Sequence, residues 1–380
     1  MLLYPRLNYK LSTKSYLKLL QPVNKRKEPD LSNFFPEKEI FFYNHARCGL
    51  SEILKLFRKN SIIGVQPFTC PTVFEAIQQA EDQIYFIDVN SSLVIDIESL
   101  KIHKDKIDIL IVTHTFGFTI NIDEIIEIMG DKPVIEDCAH AFLSRKNGLL
   151  AGTKGDFAIF SFGFGKFPNA VSGGYVLVNN KNYLEIFKEN YRFIKYPNYI
   201  KEIFFKCQSI MQILMNTWPF YGLLTRKIKN KKNKKQYKLS KKEKINYPYR
   251  FCMDIFSSEL KKIACYFEKQ KEFSGNIIKA IEKNPQITLM QYDLEMNNFM
   301  LAAEVEKPDK FITFAKIRGI EIGQHFYKSK YIIPYFGYKK GDCPTYEKII
   351  EKMVTIPCHY NYSPKKHRQL LSIINSFKHE

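Results

Sequence analysis

Between residues 40 and 180 the chain alternates short, continuously apolar runs with stretches whose apolar positions recur every three or four residues. The runs Ile62-Ile63-Gly64-Val65, Ile84-Tyr85-Phe86-Ile87, Ile109-Leu110-Ile111-Val112, Pro133-Val134-Ile135, Phe157-Ala158-Ile159-Phe160 and Tyr175-Val176-Leu177-Val178 read as strands, and residues 51–57 and 122–129 carry the helical period. A strand apolar on both faces must be covered on both. Such runs alternating with helices therefore predict an α/β fold with a mainly parallel central sheet. Residues 1–39 mix polar and apolar positions and read as a short helix plus an arm. Residues 190–225 are aromatic and apolar, ending near Trp218-Pro219-Phe220-Tyr221-Gly222, and run into a lysine-rich stretch from Arg226 to Lys244. The helical period returns at 255–270, and 286–380 mixes helices with strand candidates at 319–322 and 353–357. The expected organisation is an N-terminal arm (1–39), a large domain (40–189), an insert (190–245) and a smaller C-terminal α+β domain (246–380).

The 380 residues, 45% hydrophobic, suffice for two folded cores. No apolar run reaches the roughly eighteen residues a membrane span needs. Charges and Pro5 interrupt the apolar stretch a signal peptide would require, so a cytoplasmic location is expected. The eight cysteines show neither CxxC nor metal-ligand spacing and read as reduced, mostly buried thiols. The net charge of +19 invites a polyanion partner. However, lysine far outnumbers arginine, and Ile, Asn, Tyr and Phe are abundant, as AT-rich coding produces by itself. The dispersed charge thus argues for no specific nucleic acid.

Asp88, His114, Asp137 and Ser161 each fall at or just after a strand end, where parallel sheets gather their ligands. Lys166 follows in the run Phe160-Ser161-Phe162-Gly163-Phe164-Gly165-Lys166, ahead of Gly173-Gly174. A lysine past one strand and an aspartate past another is what a pyridoxal phosphate (PLP) enzyme needs. The amine bonds the aldehyde as a Schiff base, and the carboxylate keeps the pyridine nitrogen protonated. Lys166 must shed its proton first, which calls for burial or a nearby cation. The bland alternatives are a surface lysine in a lysine-rich chain and an aspartate capping a helix. His114 reads as holding the loop after its strand, and Asp156 as anchoring a turn beside Gly155.

The motifs Gln66-Pro67-Phe68-Thr69, His114-Thr115-Phe116-Gly117, Val134-Ile135-Glu136-Asp137-Cys138-Ala139-His140-Ala141, Gly152-Thr153-Lys154-Gly155-Asp156, Ser161-Phe162 and Lys166 stand in order and at characteristic spacing. By them the chain resembles the DegT/StrS-type nucleotide-sugar aminotransferases, which have the aspartate aminotransferase fold (fold type I). Weaker echoes are Tyr249-Arg250, Gly319-Ile320, His325 and Ile356-Pro357. The resemblance implies that Lys166 forms the Schiff base and Asp137 pairs with the pyridine nitrogen. Ser161 would donate to the cofactor phosphate, together with the helix starting near Ala46, whose first turn carries Arg47 and Cys48. His140 takes the place of a glutamine that faces the ring; a buried histidine satisfied by backbone is the other reading. Three departures stand out. Ala46-Arg47 replaces a glycine-threonine pair, Cys70 replaces a stacking aromatic, and Pro248 replaces an asparagine that reaches the partner subunit's phosphate.

The implied activity is transfer of an amino group from an amino acid, glutamate by family analogy, to a nucleotide-linked keto sugar in surface-glycan biosynthesis. The implied assembly is a homodimer with both chains lining each site. One rival is another PLP reaction on a sugar, such as dehydration. Family dehydratases carry histidine in place of the lysine, so Lys166 argues against it. A second rival is a catalytically degenerate membrane- or polyanion-binding protein, supported by Cys70, Arg47 and Pro248. The insert has two readings: an interfacial anchor giving peripheral membrane contact through 200–245 at the inner face, or a packed helix with a solvated loop.

Overall fold

The computed structural model describes residues 2–7, 9–22, 28–227, 237, 244–298 and 300–378. Helix α1 (Thr13–Leu20) comes first. Strands β1 (Glu39–Tyr43), β2 (Ile62–Val65), β3 (Gln83–Phe86), β4 (Ile109–Thr113) and β5 (Val134–Asp137) then alternate with helices α2 (Ala46–Leu54), α3 (Pro71–Gln79), α4 (Ile97–His103) and α5 (Ile122–Met129). A short hairpin, β6 (Arg145–Lys146) and β7 (Leu149–Leu150), leads to β8 (Phe157–Ser161) and β9 (Gly174–Val178). Seven of these strands form one sheet in the order β1-β9-β8-β5-β4-β2-β3. Strand β9 runs against both neighbours, while the pairs from β8 across to β3 are all parallel.

Every residue of β4, β5 and β9 is buried, as two-sided coverage requires. One apolar cluster, including Ile63, Ile111 and Ile135, packs on one face of the sheet. A second, with Ile87, Leu110 and Ile125, packs on the other. The register sets Thr113 beside Asp137 and Asp137 beside Ile159, so the carboxyl ends of β4, β5 and β8 lie together.

Helices α6 (Lys181–Tyr191), α7 (Tyr199–Asn216), α8 (Phe220–Lys227), α9 (Arg250–Leu260) and α10 (Ile263–Glu282) follow. The helical period at 255–270 thus spans two helices, broken at Lys261-Lys262. A three-stranded antiparallel sheet comes next, β10 (Thr288–Leu289), β11 (Met300–Glu304) and β12 (Met353–Pro357), with helices α11 (Pro308–Ile317), α12 (Pro344–Lys352) and α13 (Pro364–Ser376). Its core, with Ile277, Leu301, Val354 and Ile374, is separate from the other two. The strand expected at 319–322 does not form. Ile320 makes a single bridge to Tyr4 and Gly323 one to Thr355, because the N-terminal arm runs past on one side and β12 on the other.

Helix α7 buries a mixed face and exposes large apolar side chains. Glu202, Lys206, Ser209 and Ile213 face the protein, while Ile200 (78% exposed), Phe204 (73%), Met211, Leu214 and Met215 face outward. The buried polar groups have partners. Glu202 accepts from Arg250 Nη1 at 3.0 Å and from the Phe251 N–H, and Lys206 donates to the Gln21 carbonyl. Among the described residues no helix is long and apolar enough to cross a membrane. The polybasic run lies outside the described residues between 228 and 243, Tyr237 excepted.

Asp88, just past β3, does not reach into the crevice the sequence suggested. Its Oδ2 accepts from the Thr345 N–H (2.9 Å) and its Oδ1 from the Tyr346 N–H (3.0 Å). These belong to the first turn of α12, whose own N-cap, Cys343, supplies no side-chain bond. A residue on the large sheet thus caps a helix beside the small one. Asp88→Ala strands two helix N–H groups and is expected to cost about 2–3 kcal/mol, read as a lower denaturant midpoint at unchanged slope.

Candidate active site

After β8 the chain doubles back in a loop closed by its own backbone: Phe162 N–H to Gly173 C=O (3.1 Å), Phe164 N–H to Val171 C=O (3.0 Å) and Ala170 N–H to Phe162 C=O (2.7 Å). Lys166 sits on this braced loop, partly buried. Asp137 is the last residue of the adjacent β5, 3% exposed, and its Oδ1 accepts from the Ala139 N–H at 3.0 Å. The two make no ion pair with each other, yet each lies in the other's field. Burial pushes the Lys166 amine down toward its neutral form, against the pull of Cys70 and Asp137. Burial likewise raises the Asp137 carboxyl, against the Ala139 N–H, Lys166 and His114.

His140 follows β5, and its Nδ1 accepts from the Phe116 N–H at 3.3 Å. Its ring lies nearly parallel to Phe116 (5.7 Å) and Phe326 (6.0 Å) and edge-on to His325 (5.9 Å). Burial first, then Lys166 and His325, hold it neutral. Ser161 ends β8 opposite Gly174, and its Oγ is 3.5 Å from the Gly163 N–H. Gly174 lets the first turn of α2 approach: a Cβ there would stand 2.6 Å from Ala46 N and 2.5 Å from the Phe160 carbonyl. The N–H-rich end of α2 is thereby set beside Ser161. Arg47 stands in that turn, partly exposed, whereas Cys48 is buried in the main core. Cys70 is the N-cap residue of α3, with its thiol 3.1 Å from Thr72 Oγ1 and close enough to influence Lys166. Pro248 is buried.

His114 and Asp156 act behind the crevice. His114 Nε2 meets Glu136 Oε2 at 2.9 Å, and Glu136 also accepts from the N–H groups of Gly152 (2.8 Å), Lys154 (3.1 Å) and Gly155 (2.8 Å). His114, Glu136 and Cys138 cluster closely enough to suggest a metal, but these four donors already occupy the carboxylate. Asp156 ties the start of β5 to the turn before α6, through the Val134 N–H (2.8 Å) and Asn180 Nδ2 (2.6 Å). Sequence reasoning missed Arg6 and His359, which line a cavity beside Lys166. No local pattern marks either one, since the arm and the loop after β12 meet only in three dimensions.

A ring with a protonated nitrogen at one end and an aldehyde at the other suits this donor set. It gives the buried Asp137 a countercharge and uses the Lys166 amine in the form that burial favours. A mainly parallel sheet with these two groups at neighbouring strand ends defines the class of PLP-dependent transferases of fold type I. The chain belongs to the DegT/DnrJ/EryC1/StrS aminotransferase family, whose model matches residues 48–375. PLP is the cofactor of this family, and the protein is an enzyme of it.

An uncharacterized protein of Methanocaldococcus jannaschii is 25% identical over 91% of this chain and 86% of its own length. The UDP-4-amino-4,6-dideoxy-N-acetyl-beta-L-altrosamine transaminase of Campylobacter jejuni is 30% identical over 34% of this chain and 36% of its own. Among solved structures, the E. coli GDP-4-keto-6-deoxy-D-mannose-3-dehydratase with bound hydrated PLP superposes with a TM-score of 0.75 at 17% identity, covering 98% of this chain and 100% of that one.

Gly174→Ala forces Cβ against three backbone atoms, two of them in Ala46, so the α2 end must shift. We expect a loss of about 1–3 kcal/mol in stability, and weaker PLP uptake by the apoprotein in an absorbance titration.

Proposed function

We propose that the protein transfers an amino group from an amino acid, glutamate by family analogy, to a keto sugar carried by a nucleotide, in surface-glycan biosynthesis. The observation that carries this is the Lys166–Asp137 pair: an amine and a carboxyl at one crevice with no ion pair between them, burial shifting each toward its uncharged form. Bound PLP supplies the electron sink that lets an amino group leave one carbon and join another. The protein supplies the rest. Asp137 holds a proton on the ring nitrogen, while Ser161 and the end of α2 orient the phosphate. Lys166, released as a free neutral amine, carries the proton between the carbons that exchange nitrogen. The Campylobacter relative is named as a transaminase of a nucleotide sugar, which supports the substrate class. Lys166 itself favours transamination over dehydration. We propose further that the enzyme works as a homodimer with both chains lining each site.

Lys166→Ala should remove the absorption near the violet edge of the visible from PLP-loaded protein. It should also lower amination of keto sugars, followed by mass spectrometry with glutamate, about 10²–10⁴-fold. A variant that keeps both band and turnover rules the assignment out.

The exposed apolar face of α7 favours a location. Ile200, Phe204, Met211, Leu214 and Trp218 project outward just ahead of the stretch from Arg226 to Lys244, in which Glu243 is the sole acidic residue. An apolar helix face followed in sequence by a run of basic residues suits an anionic membrane surface, each basic residue near the surface contributing about 1 kcal/mol. The enzyme accordingly rests on the inner membrane face. Wild-type protein should float with vesicles containing anionic lipid and not with neutral ones, and the double variant Phe204→Glu/Leu214→Glu should stay behind. Equal flotation of both proteins, with the variant turned from dimer to monomer, would reassign the face to the subunit interface.

A further inference from the structure

The cavity beside Lys166 is lined by the N-terminal arm and the loop after β12 as well as by the Lys166 loop. Arg6 enters it from the arm. Its backbone N–H is held by Glu321 at 2.8 Å and its Nη1 donates to Thr355 Oγ1 at 2.8 Å. The guanidinium lies flat on Gly323, where an added Cβ would stand 3.1 Å from Cζ and Nη1. Glu321, the neighbouring carboxylate, binds the Arg6 backbone and the Tyr221 hydroxyl (2.8 Å) and makes no ion pair with the guanidinium. Arg6 Nε is buried and without an acceptor among the described residues.

His359 enters the same cavity, 8% exposed, and neither of its ring nitrogens has a partner among the described residues. Burial, then Lys10, pushes its pKa down to about 3, so the ring is neutral and has one N–H to give. No acidic side chain lines the cavity among the described residues. A partly buried cation whose Nε–H is buried and unused, favoured only through space by Glu321, beside a second unused donor, is costly unless a further acceptor completes it.

We infer that Arg6 and His359 form the subsite for the α-carboxylate of the amino-acid donor. This rests on the aminotransferase reading and deepens it. In an amino acid one carbon separates the amino group from the carboxylate. A donor whose nitrogen takes the place of the Lys166 amine therefore puts its carboxylate within a few ångströms, beside Lys166. The planar guanidinium matches that carboxylate in shape, and the unused Nε–H supplies a donor on its edge. A keto sugar has no such group, so the subsite serves only the half-reaction with the donor.

The test compares PLP-loaded wild-type and Arg6→Gln enzymes reacting with glutamate and with 4-aminobutyrate, which is glutamate without its α-carboxylate. Loss of the visible band follows each half-reaction, and calorimetry follows binding of glutarate. Arg6→Gln should take up PLP normally, yet react with glutamate about 10- to 100-fold less efficiently, chiefly through a higher KM. Glutarate binding should weaken to a similar degree. Reaction with 4-aminobutyrate should hardly change, so the variant loses most of the wild-type preference between the two donors. Arg6→Lys, which keeps the charge without the fork, should recover part of it.

An Arg6→Gln enzyme as fast as wild type with glutamate, or slowed equally with both donors, overturns the inference. Wild-type enzyme that treats the two donors alike overturns it without any variant. Wild-type protein that takes up no PLP would remove the aminotransferase reading itself, and the subsite with it.

Discussion

Asp137, at the end of β5, and Lys166, on the loop after β8, approach one crevice because the two strands lie side by side and parallel. Parallel pairing of β4, β5 and β8 fixes which residues reach the common edge, and the same coverage that stabilises the sheet strips water from them. Each group is displaced toward its uncharged form, by a desolvation larger than the help either gives the other. A buried pair of this kind is poor stabilisation. It is instead a site prepared for a ligand that brings its own charge. The fold bears that cost because three apolar cores surround the sheets.

Other polar groups at strand ends hold the frame on which that pair sits. Glu136 neighbours Asp137 in sequence, but alternation along the strand turns it to the other face. There His114 and three backbone N–H groups take up its oxygens, and its carboxyl is held below its ordinary range despite complete burial, the His114 and backbone bonds outweighing desolvation. Asp156 pins the opposite end of the same strand. Adjacent acids with opposite fates show how pleating divides labour: one clamps a loop, and the next faces the crevice.

The six apolar runs were legible because two-sided burial writes a continuous hydrophobic signal, and all six are strands of the large sheet. That Asp137 and Lys166 approach one crevice was legible because one ends β5 and the other follows β8 by a short loop. Asp88 carries the same local signal and does something else, since capping α12 requires a partner 257 residues away that no window contains. The stretch 319–322 looks like a strand by composition, but lies between the arm and β12 with a single bridge to the arm. Helix α7 misleads for a subtler reason. The face that packs inward mixes Phe205, Ile210 and Ile213 with Glu202 and Lys206, for which Arg250 and Gln21 supply partners, and large apolar side chains are left outside.

The cavity draws its lining from segments far apart in sequence. Tyr4 bonds through its backbone to Gly319 and Glu321, and Arg6 spans from the arm to Thr355 on β12. The arm is therefore an extra layer laid over the small sheet, made of contacts between residues more than 300 positions apart. Such contacts add nothing to the strands that place Asp137 and Lys166. An arm of this kind can change its side chains without disturbing the strand ends beside Lys166 and Asp137. The guanidinium needs only a bare surface, which Gly323 provides, and a hydroxyl, which Thr355 provides. Carrying the guanidinium on the arm thus keeps the inferred carboxylate contact apart from the strand ends that place Asp137, and ties it to how firmly the arm is seated.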